Sequence, residues 1–391
     1  MATTFPNPTA TTSVASLERL LNGQFFERQD VIHGLWLGLI ARQHVVLLGP
    51  PGAAKTALAD AFSALVGLRF WSTLLTRFST PEELFGPLSL SALEHDAYRR
   101  IGAGRLPDAE VALIDEVFKG NSAILNTLLP VMNERVWFND GQRLNLPLQL
   151  LIGASNEMPE SEELNALWDR FALRYVVDYI QDSQSWEQWM TAMADPTAVT
   201  AGAQTPTLPS ADLAQLQQAA ERVDARPVIP TLRQLKGLLA QEGLVVSDRR
   251  WGVVIKLVRA EAAWQGRTQA TADDVRVTSA ALWETPDQRS MVQRTVLGLV
   301  APHEMDALTI RDEAQELLRA VADAEPGPGQ VTKAQEAAVA LKRLHTRLID
   351  LYTDAQKAGH ATQVISDIAA FVKDRQVNIL SDVLEIREGA K

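Results

Sequence analysis

The sequence contains no cysteine among its 391 residues, which excludes disulfide bonds and thiolate metal sites. It also has no long apolar run, since the longest mostly apolar stretch, residues 31–41, is too short to span a bilayer. The first residues have neither the basic start nor the apolar core of a signal peptide. These absences lead us to expect a soluble, cytoplasmic protein without a membrane span.

An excess of positive charge is also missing. The chain has 37 Lys and Arg residues against 48 Asp and Glu residues, and its formal net charge is −11 at pH 7. A chain with this balance lacks the electrostatic footprint of a nucleic-acid-binding protein, although a local basic groove is still compatible with it. We therefore expect no nucleic-acid partner.

Short apolar runs alternate with helical patterns over the first half of the chain. Apolar residues make up 46% of the sequence, enough for cores in two or three domains. Continuous apolar runs separated by helices are typical of an α/β fold in which a parallel sheet is covered on both faces. The expected division is a flexible N-terminal tail (1–19), an αβα core (20–190), a linker (191–225), an all-helical lid (226–287) and a C-terminal helical region (288–391).

The segment LLGPPGAAKT, residues 47–56, has the pattern of a phosphate-binding loop. In such a loop a strand ends, backbone N–H groups turn toward the phosphates, and a helix begins with its positive dipole end at the same place. A lysine reaches the outer phosphates and a hydroxyl holds Mg²⁺, roles that fall to Lys55 and Thr56. The alternative is a chance turn followed by a surface lysine. The candidate nucleotide-binding residues are Gly49, Pro50, Pro51, Gly52, Ala53, Ala54, Lys55 and Thr56.

Ala54 stands where the usual loop pattern has glycine. Glycine is required only where φ is positive or where a side chain would strike the phosphate. Because Ala54 immediately precedes the helix, we expect its φ to be negative, so that alanine costs little and favours the helix. The expectation is therefore a working nucleotide site.

Two apolar runs downstream end in polar residues that suit nucleotide hydrolysis. The run VALIDE ends in Asp115, which can hold Mg²⁺, and Glu116, which can orient water for attack on the γ-phosphate. Asn156 follows the run LQLLIGAS and can hydrogen-bond the same water or the γ-phosphate. Taken singly, each is as typical of a solvated strand end or a turn. Their order after the loop favours the catalytic roles.

Two pairs of arginines follow. Arg170 and Arg174 lie in LWDRFALR, and Arg249 and Arg250 lie in VSDRRW at a predicted helix start. For the first pair, a guanidinium can stabilise the charge that develops on a transferring phosphoryl group, often from a neighbouring subunit. For the second pair, positive charge at a helix N-terminus is unfavourable to the helix dipole, which indicates a functional role. The alternative for both pairs is a salt-bridged or solvated surface arginine. Arg170 and Arg249 are our candidates, while Arg174 and Arg250 stay open as alternatives for the same roles.

The order of these segments resembles the AAA+ ATPases, within them the MoxR group, and most closely its RavA-like branch. The resemblance spans roughly residues 20–290 and is carried by GPPGAAKT, LLTRFSTPEELFGPLSLSAL, GRLPDAEVALIDEVFKGNSAILNTLLPVMNERVWFNDG, ASNEMPE, LWDRFALR and VSDRRW. It implies ATP and Mg²⁺ as cofactors and a P-loop αβα core followed by a helical lid. The roles it implies are a Walker A site at Lys55 and Thr56, a Walker B site at Asp115 and Glu116, sensor 1 at Asn156, an arginine finger at Arg170, a lid sensor at Arg249 and adenine packing at Phe26.

The same resemblance implies ATP hydrolysis by a homo-oligomeric ring, usually of six subunits. It also implies chaperone-like remodelling of a protein substrate and a partner with a von Willebrand factor A domain. The alternatives are a DNA-acting AAA+ motor and a nucleotide-gated assembly scaffold. An Asp-Gly pair in ERVWFNDGQRLNLPLQ predicts a β-hairpin whose tip, 139–143, carries one acid and one base. A hairpin that grips DNA is expected to carry more positive charge.

Overall fold

The computed structural model describes residues 8–194, 206–324, 327–358 and 362–389. The chain forms two compact units. The first comprises Met1–Lys236 and Ala240–Arg289, and the second comprises Gly237–Leu239 and Ser290–Lys391. Among the described residues, no helix has both the length and the apolar character needed to cross a membrane.

The first unit is built on a parallel five-stranded sheet. In spatial order its strands are β2 (Phe70–Leu74), β3 (Val111–Asp115), β6 (Leu150–Ser155), β1 (His44–Leu48) and β7 (Phe171–Val176), and every neighbouring pair is parallel. All residues of the strands here numbered β1 and β6 are buried, so the centre of the sheet is covered on both faces. The predicted α/β core with a parallel sheet is confirmed. The two strands outside this sheet are β4 (Val136–Asn139) and β5 (Gln142–Asn145).

Strands β4 and β5 form a separate antiparallel hairpin. Asp140 and Gly141 at its tip both have positive φ, 53° and 71°, as a tight two-residue hairpin turn requires. The hairpin predicted from the Asp-Gly pair is therefore confirmed.

Helices surround the sheet and continue beyond it. Helix α2 (Gln29–Ile40) packs on β1 and β7, and helix α3 (Lys55–Val66) packs on β3 and β6. The helices of this unit are α1 (Pro8–Asn22), α2 (Gln29–Ile40), α3 (Lys55–Val66), α4 (Pro81–Phe85), α5 (Leu90–Leu93), α6 (Ser122–Glu134), α7 (Glu162–Trp168), α8 (Ser183–Ala194), α9 (Ser210–Arg222), α10 (Ile229–Gln241) and α11 (Asp248–Trp264), with 3₁₀ turns at Leu106–Asp108, Val117–Lys119, Arg226–Val228 and Ala272–Ala280.

The expected flexible tail over 1–19 is wrong from Pro8 onward, because α1 begins there. Val14, Leu17 and Leu21 are buried, and their spacing puts them on one face of the helix. The Thr- and Ser-rich composition hid this apolar face. Residues 1–7 lie outside the described residues.

The expected linker over 191–225 is wrong where α9 occupies it. Leu213, Leu216 and Ala220 are buried and recur at helical spacing, so this segment packs as an amphipathic helix. The Pro- and Thr-rich stretch that prompted the linker prediction falls largely at 195–205, outside the described residues.

The second unit is helical, as expected for the region after the lid. Helix α12 (Gln288–Val300) precedes three long helices, α13 (Pro302–Ala322), α14 (Pro328–Lys357) and α15 (Gln363–Gly389). These three pack against one another. Their shared core includes Ile310, Leu341, Leu348, Ile365 and Val372.

Candidate functional site

The predicted phosphate loop connects the end of β1 to the start of α3. The backbone N–H of Gly49 donates to the carbonyl of Ser155 at 3.0 Å, which ties the loop to the end of β6. A Cβ on Gly49 would lie 1.9 Å from the carbonyl oxygen of Val177, so only glycine fits there. Gly52 has a φ of 79° and open space around its missing Cβ. The loop is therefore a concave backbone turn at the helix N-terminus, the geometry that binds phosphate.

The ammonium group of Lys55 lies inside this turn. It donates to the carbonyls of Gly49 at 2.7 Å and Pro50 at 2.9 Å, and its side chain is largely buried. Burial lowers the pKa of Lys55, while the carboxylates of Asp115 and Glu116 act in the opposite direction. A phosphate in the loop can replace the two carbonyls as the acceptor for this charge.

The two predicted metal ligands meet across the sheet. The Thr56 hydroxyl donates to Asp115 Oδ2 at 2.8 Å, although the two residues are 59 positions apart. The other carboxylate oxygen of Asp115 accepts from the N–H of Glu116 at 2.9 Å. A hydroxyl and a carboxylate beside a phosphate loop are hard oxygen donors of the kind Mg²⁺ prefers. The residues present therefore fit a Mg²⁺-nucleotide.

Glu116 follows the last residue of β3 and is not part of that strand. Its φ of 52° and ψ of 43° are left-handed, so β3 ends at Asp115 and the chain turns sharply. The Glu116 carboxylate then pairs with Lys119 at 3.2 Å. The turn separates the directions of the two neighbouring acids, as their different predicted roles require. The pairing with Lys119 was not anticipated from the sequence.

Asn156 is exposed and follows Ser155 directly at the end of β6. Because the Ser155 carbonyl binds the Gly49 N–H, Asn156 lies beside the phosphate loop. Its predicted place near the outer phosphates is compatible with this arrangement.

Ala54 differs from the expectation in its backbone conformation. Its φ is 64° and its ψ is 23°, the left-handed region, whereas we expected a negative φ. Its carbonyl nevertheless accepts the first helical bond, from the N–H of Leu58 at 2.9 Å. The alanine thus occupies a conformation that favours glycine, at a cost of about 1 kcal/mol. The position of Ala54 next to the helix was not sufficient to predict its φ. The last loop residue before α3 adopts left-handed dihedral angles.

Phe26, the candidate for adenine packing, is half-buried in the segment between α1 and α2. Its neighbour Glu27 accepts a hydrogen bond from the N–H of Gln181 at 3.0 Å. In the same segment after β7, the Tyr179 hydroxyl donates to the carbonyl of Pro51 at 3.0 Å. The Phe26 segment is thereby joined to the phosphate loop. Tyr179 belongs to none of the motifs, and nothing in the sequence indicated it.

The two candidate arginines lie at the opposite edge of the sheet. Arg170 precedes β7, whose first residue, Phe171, pairs with His44 at the start of β1. The phosphate loop follows the other end of β1, and five strand residues span roughly 16 Å. Arg249, in the first turn of α11, donates to Asp169 at 2.6 Å and thus shares the edge of Arg170. The structure brings these arginines together and separates both from the phosphate loop of their own chain.

The alternative arginines are part of the packing. Arg174 is buried, donates to the carbonyls of Trp283 and Trp168, and lies 4.4 Å from the centre of the Trp168 ring. Arg250 is buried and donates to the Phe171 carbonyl at 2.7 Å. Burial lowers the pKa of Arg250, and Asp169 acts against this. Both of these side chains donate hydrogen bonds to backbone carbonyls inside the fold. Arg170 and Arg249 are therefore the better candidates for contact with another subunit.

A basic cavity of about 290 Å³ surrounds the two candidates. Of the described residues, Asp169 alone contributes a carboxylate to its lining. His44 also lines it, but burial and the nearby Arg135 lower its pKa to about 3, so the imidazole is neutral. The sequence did not indicate that distant cations converge here. The cationic residues of the lining are Arg42, Arg135, Arg170, Arg249, Arg250 and Lys256.

Comparisons with known families agree with this geometry. Residues 12–218 match the model of the MoxR domain in the MoxR-vWA-beta-propeller ternary systems. Residues 227–296 match the model of an AAA lid domain. The two matches together cover the sheet, both of its edges and helix α11, which carries Arg249.

Individual relatives give the same result over most of the chain. Two uncharacterized proteins of Methanocaldococcus jannaschii are 35% and 36% identical to it, over 71% and 68% of this chain and 72% and 70% of their own lengths. Chaperone MoxR1 of Mycobacterium tuberculosis is 26% identical over 43% of this chain and 44% of its own length. A crystal structure from Cytophaga hutchinsonii, 17% identical, superposes with a TM-score of 0.59 over 75% of this chain and 95% of that one, a likeness of fold.

Proposed function

The chain belongs to the MoxR family of AAA+ ATPases, and from that premise we propose that it binds Mg²⁺-ATP on loop 49–56 and hydrolyses it to ADP and phosphate. The observation that carries the proposal is the 2.8 Å contact between Thr56 and Asp115. It joins the phosphate loop to the acidic strand end, so the two halves of a Mg²⁺-nucleotide site lie within one hydrogen bond of each other.

Each residue of this site has a distinct task in the proposal. Lys55 exchanges its loop carbonyls for the outer phosphates, and Thr56 and Asp115 supply oxygen ligands to Mg²⁺. Glu116, freed from the strand by its left-handed turn, orients the attacking water. Asn156 hydrogen-bonds that water or the γ-phosphate. Mg²⁺-ATP supplies the transferring phosphoryl group.

The placement of Arg170 and Arg249 supports assembly into a ring. Both lie where the amino ends of the parallel strands meet, here called the amino edge of the sheet. The phosphate loop of their own chain lies at the opposite side, the carboxyl edge, where the carboxyl ends of the strands meet. We place them against the nucleotide of the next subunit, where their charge stabilises the transferring phosphoryl group. A homo-oligomeric ring, with six subunits as the expected number, brings every amino edge to a neighbouring phosphate loop.

The proposed role of the ring is remodelling a protein substrate in the cytoplasm. The matched family model describes systems that also contain a von Willebrand factor A protein and a β-propeller, and we propose partners of these types. The β4–β5 hairpin exposes Phe138 and Leu144, and its Arg143 pairs with Glu134 at 3.0 Å. An apolar, charge-balanced hairpin suits a polypeptide better than DNA. Assignment to the RavA-like branch rests on the sequence motifs alone.

Two substitutions test the site. We expect Lys55→Ala to abolish binding of a fluorescent ATP analogue, because it removes the charge that meets the outer phosphates. We expect Glu116→Gln to bind the analogue normally but lose turnover, because only activation of the water is removed. Lys357→Ala is the matched control, since Lys357 is exposed and pairs with Asp354 at 3.3 Å in the second unit. Wild-type affinity in Lys55→Ala, or wild-type turnover in Glu116→Gln, would contradict the proposal.

A further inference from the structure

Asp169 lies among three guanidinium groups at the amino edge of the sheet. Its Oδ2 accepts from Arg249 at 2.6 Å and is 3.4 Å from Arg170 Nη1. Its Oδ1 lies 4.0 Å from Arg250 Nη2. One carboxylate thus faces two arginines of the lid helix α11 and the candidate arginine of the core.

The positive charge around this carboxylate is not balanced by other acids that line the cavity. Arg42, Arg135 and Lys256 also line it. Like charges that line one cavity repel one another, and partial shielding from water increases the repulsion. The Arg249 side chain is 47% exposed. Without Asp169, solvent and repulsion would draw it out of the cavity, leaving only the Asn133 side-chain oxygen at 3.1 Å to hold it.

Arg250 behaves differently, because the Phe171 carbonyl holds it at 2.7 Å independently of Asp169. The start of α11 therefore stays attached to β7 when Asp169 is neutralised. The exposed Arg249 is the group whose position depends on the carboxylate. Asp169 itself is 43% exposed, but its neutralisation also takes an opposite charge away from the buried Arg250, so we expect some loss of thermal stability beside the effect on Arg249.

We propose that Asp169 is the positioning residue that holds Arg170 and Arg249 together as one phosphate-binding unit for the neighbouring subunit. This inference rests on the proposed function, in which those two arginines act on the next subunit's nucleotide. A guanidinium has five donors, so the nitrogens not bound to Asp169 can still meet phosphate oxygens. Asp169 acts through the arginines and touches no nucleotide.

The first test is Asp169→Asn, which keeps the side-chain size and removes the charge. The expected result is an unchanged dissociation constant for a fluorescent ATP analogue with a kcat at least tenfold lower, because the loop that binds the nucleotide is intact and the arginines stabilise charge that develops only as the phosphoryl group is transferred. Asp169→Glu should restore part of the kcat. Asp273→Asn is the matched control, since Asp273 is an exposed aspartate that pairs with Arg276 at 2.5 Å in the lid. A merely structural role would lower thermal stability and ATP binding together.

The second test mixes subunits. Asp169→Asn and Lys55→Ala alter opposite edges, so some interfaces in a mixed ring have two intact edges, and activity should exceed the sum of the separate rings. Asp169→Asn and Arg170→Ala alter the same edge, so no interface is intact and no such gain is expected. A gain from the second mixture would overturn the proposal.

Two outcomes distinguish a failure of the positioning role of Asp169 from a failure of the proposed action of the arginines. If Arg170→Ala hydrolyses ATP normally, the proposed action of the arginines fails. If Arg170→Ala is inactive while Asp169→Asn has a wild-type or raised kcat, only the positioning role of Asp169 is overturned.

Discussion

The two edges of the parallel sheet carry opposite chemistry. At the carboxyl edge, a concave backbone turn lies beside two carboxylates, Asp115 and Glu116, arranged to accept a Mg²⁺-nucleotide. At the amino edge, cationic side chains line a cavity in which Asp169 is the sole carboxylate of the described residues. In the proposed function, one edge binds a phosphate chain and the other contacts the phosphate chain of a neighbouring subunit. On this proposal, a single subunit holds two complementary halves of a site on opposite sides of its sheet, and the ring brings them together.

Loss of Arg170 should be the most damaging change at the amino edge. We expect Arg170→Ala to bind ATP with wild-type affinity and to hydrolyse it about 10³-fold more slowly if it acts as a full arginine finger. Steady-state hydrolysis and titration with a fluorescent ATP analogue measure the two quantities separately. Arg226→Ala serves as the control, since Arg226 is exposed and pairs with Asp224 at 2.8 Å.

Mixing the edges tests the comparison directly. Rings assembled from Arg170→Ala and Lys55→Ala subunits, each inactive alone, should regain part of the activity at interfaces where an intact loop meets an intact arginine. Activity per wild-type subunit should also rise with protein concentration as rings assemble. No regain in rings shown to contain both variants would place Arg170 in its own subunit's site or in the packing, and the two edges would not be halves of one site.

At the carboxyl edge, the sequence was sufficient to predict which residues lie near one another, because each part of that edge is local in sequence. The phosphate loop, the acidic pair and Asn156 each follow directly from an apolar strand, and parallel strands end at a common edge. The amino edge has no such local signature. Asp169 and Arg249 are 80 residues apart, and their contact exists only because α11 packs against β7. The choice between Arg249 and Arg250 likewise depended on which of two adjacent side chains the packing buries.

The other differences between the sequence-based predictions and the structure also arise from contacts between distant parts of the chain. Helices α1 and α9 bury narrow apolar faces within Thr-, Ser- and Pro-rich surroundings, so composition suggested a tail and a linker. The left-handed φ of Ala54 depends on the path of the whole loop, which Gly49 fixes by its close approach to Val177. Neither feature can be deduced from neighbouring residues alone.

The position of α11, and with it the amino edge, also depends on a histidine near the other end of that helix. His33 of α2 lies between Glu18 of α1, at 2.9 Å, and Glu261 of α11, at 2.7 Å. Burial disfavours the charged imidazole, but hydrogen bonds to the two carboxylates outweigh it and raise the pKa of His33 to about 10. A raised folded-state pKa stabilises the fold fully below the ordinary value of about 6.5, and the contribution is lost as pH rises through about 10.

We therefore expect the free energy of unfolding to fall between pH 7 and pH 10, and His33→Gln to remove most of that fall. At pH 7 the substitution should cost about 2 kcal/mol, a value reduced from the full shift because the His33 side chain is 31% exposed. Thermal or urea unfolding across this pH range measures both effects. His95→Gln is the control, because His95 is exposed and its Nδ1 contacts the backbone carbonyl of Ser91 at 2.8 Å. An unchanged pH slope in His33→Gln would mean that this ion pair does not anchor α11.

The smallest expected effect is the change in stability on replacing Ala54 at the carboxyl edge, and the sign of that change is informative. Because φ at Ala54 is left-handed, Ala54→Gly relieves strain and should stabilise the protein by up to about 1 kcal/mol, partly offset by the greater freedom of glycine in the unfolded chain. If φ were negative, the same change would destabilise the helix start by about 1 kcal/mol. Ala57→Gly, at an exposed position inside α3, is the matched control and should destabilise by about that amount. ATP turnover of Ala54→Gly should stay within about threefold of wild type, because no group that meets the phosphates is lost. Opposite shifts of Tm in the two variants would support the left-handed loop, whereas equal losses would show that the turn ends before Ala54 and that the alanine there is part of the helix.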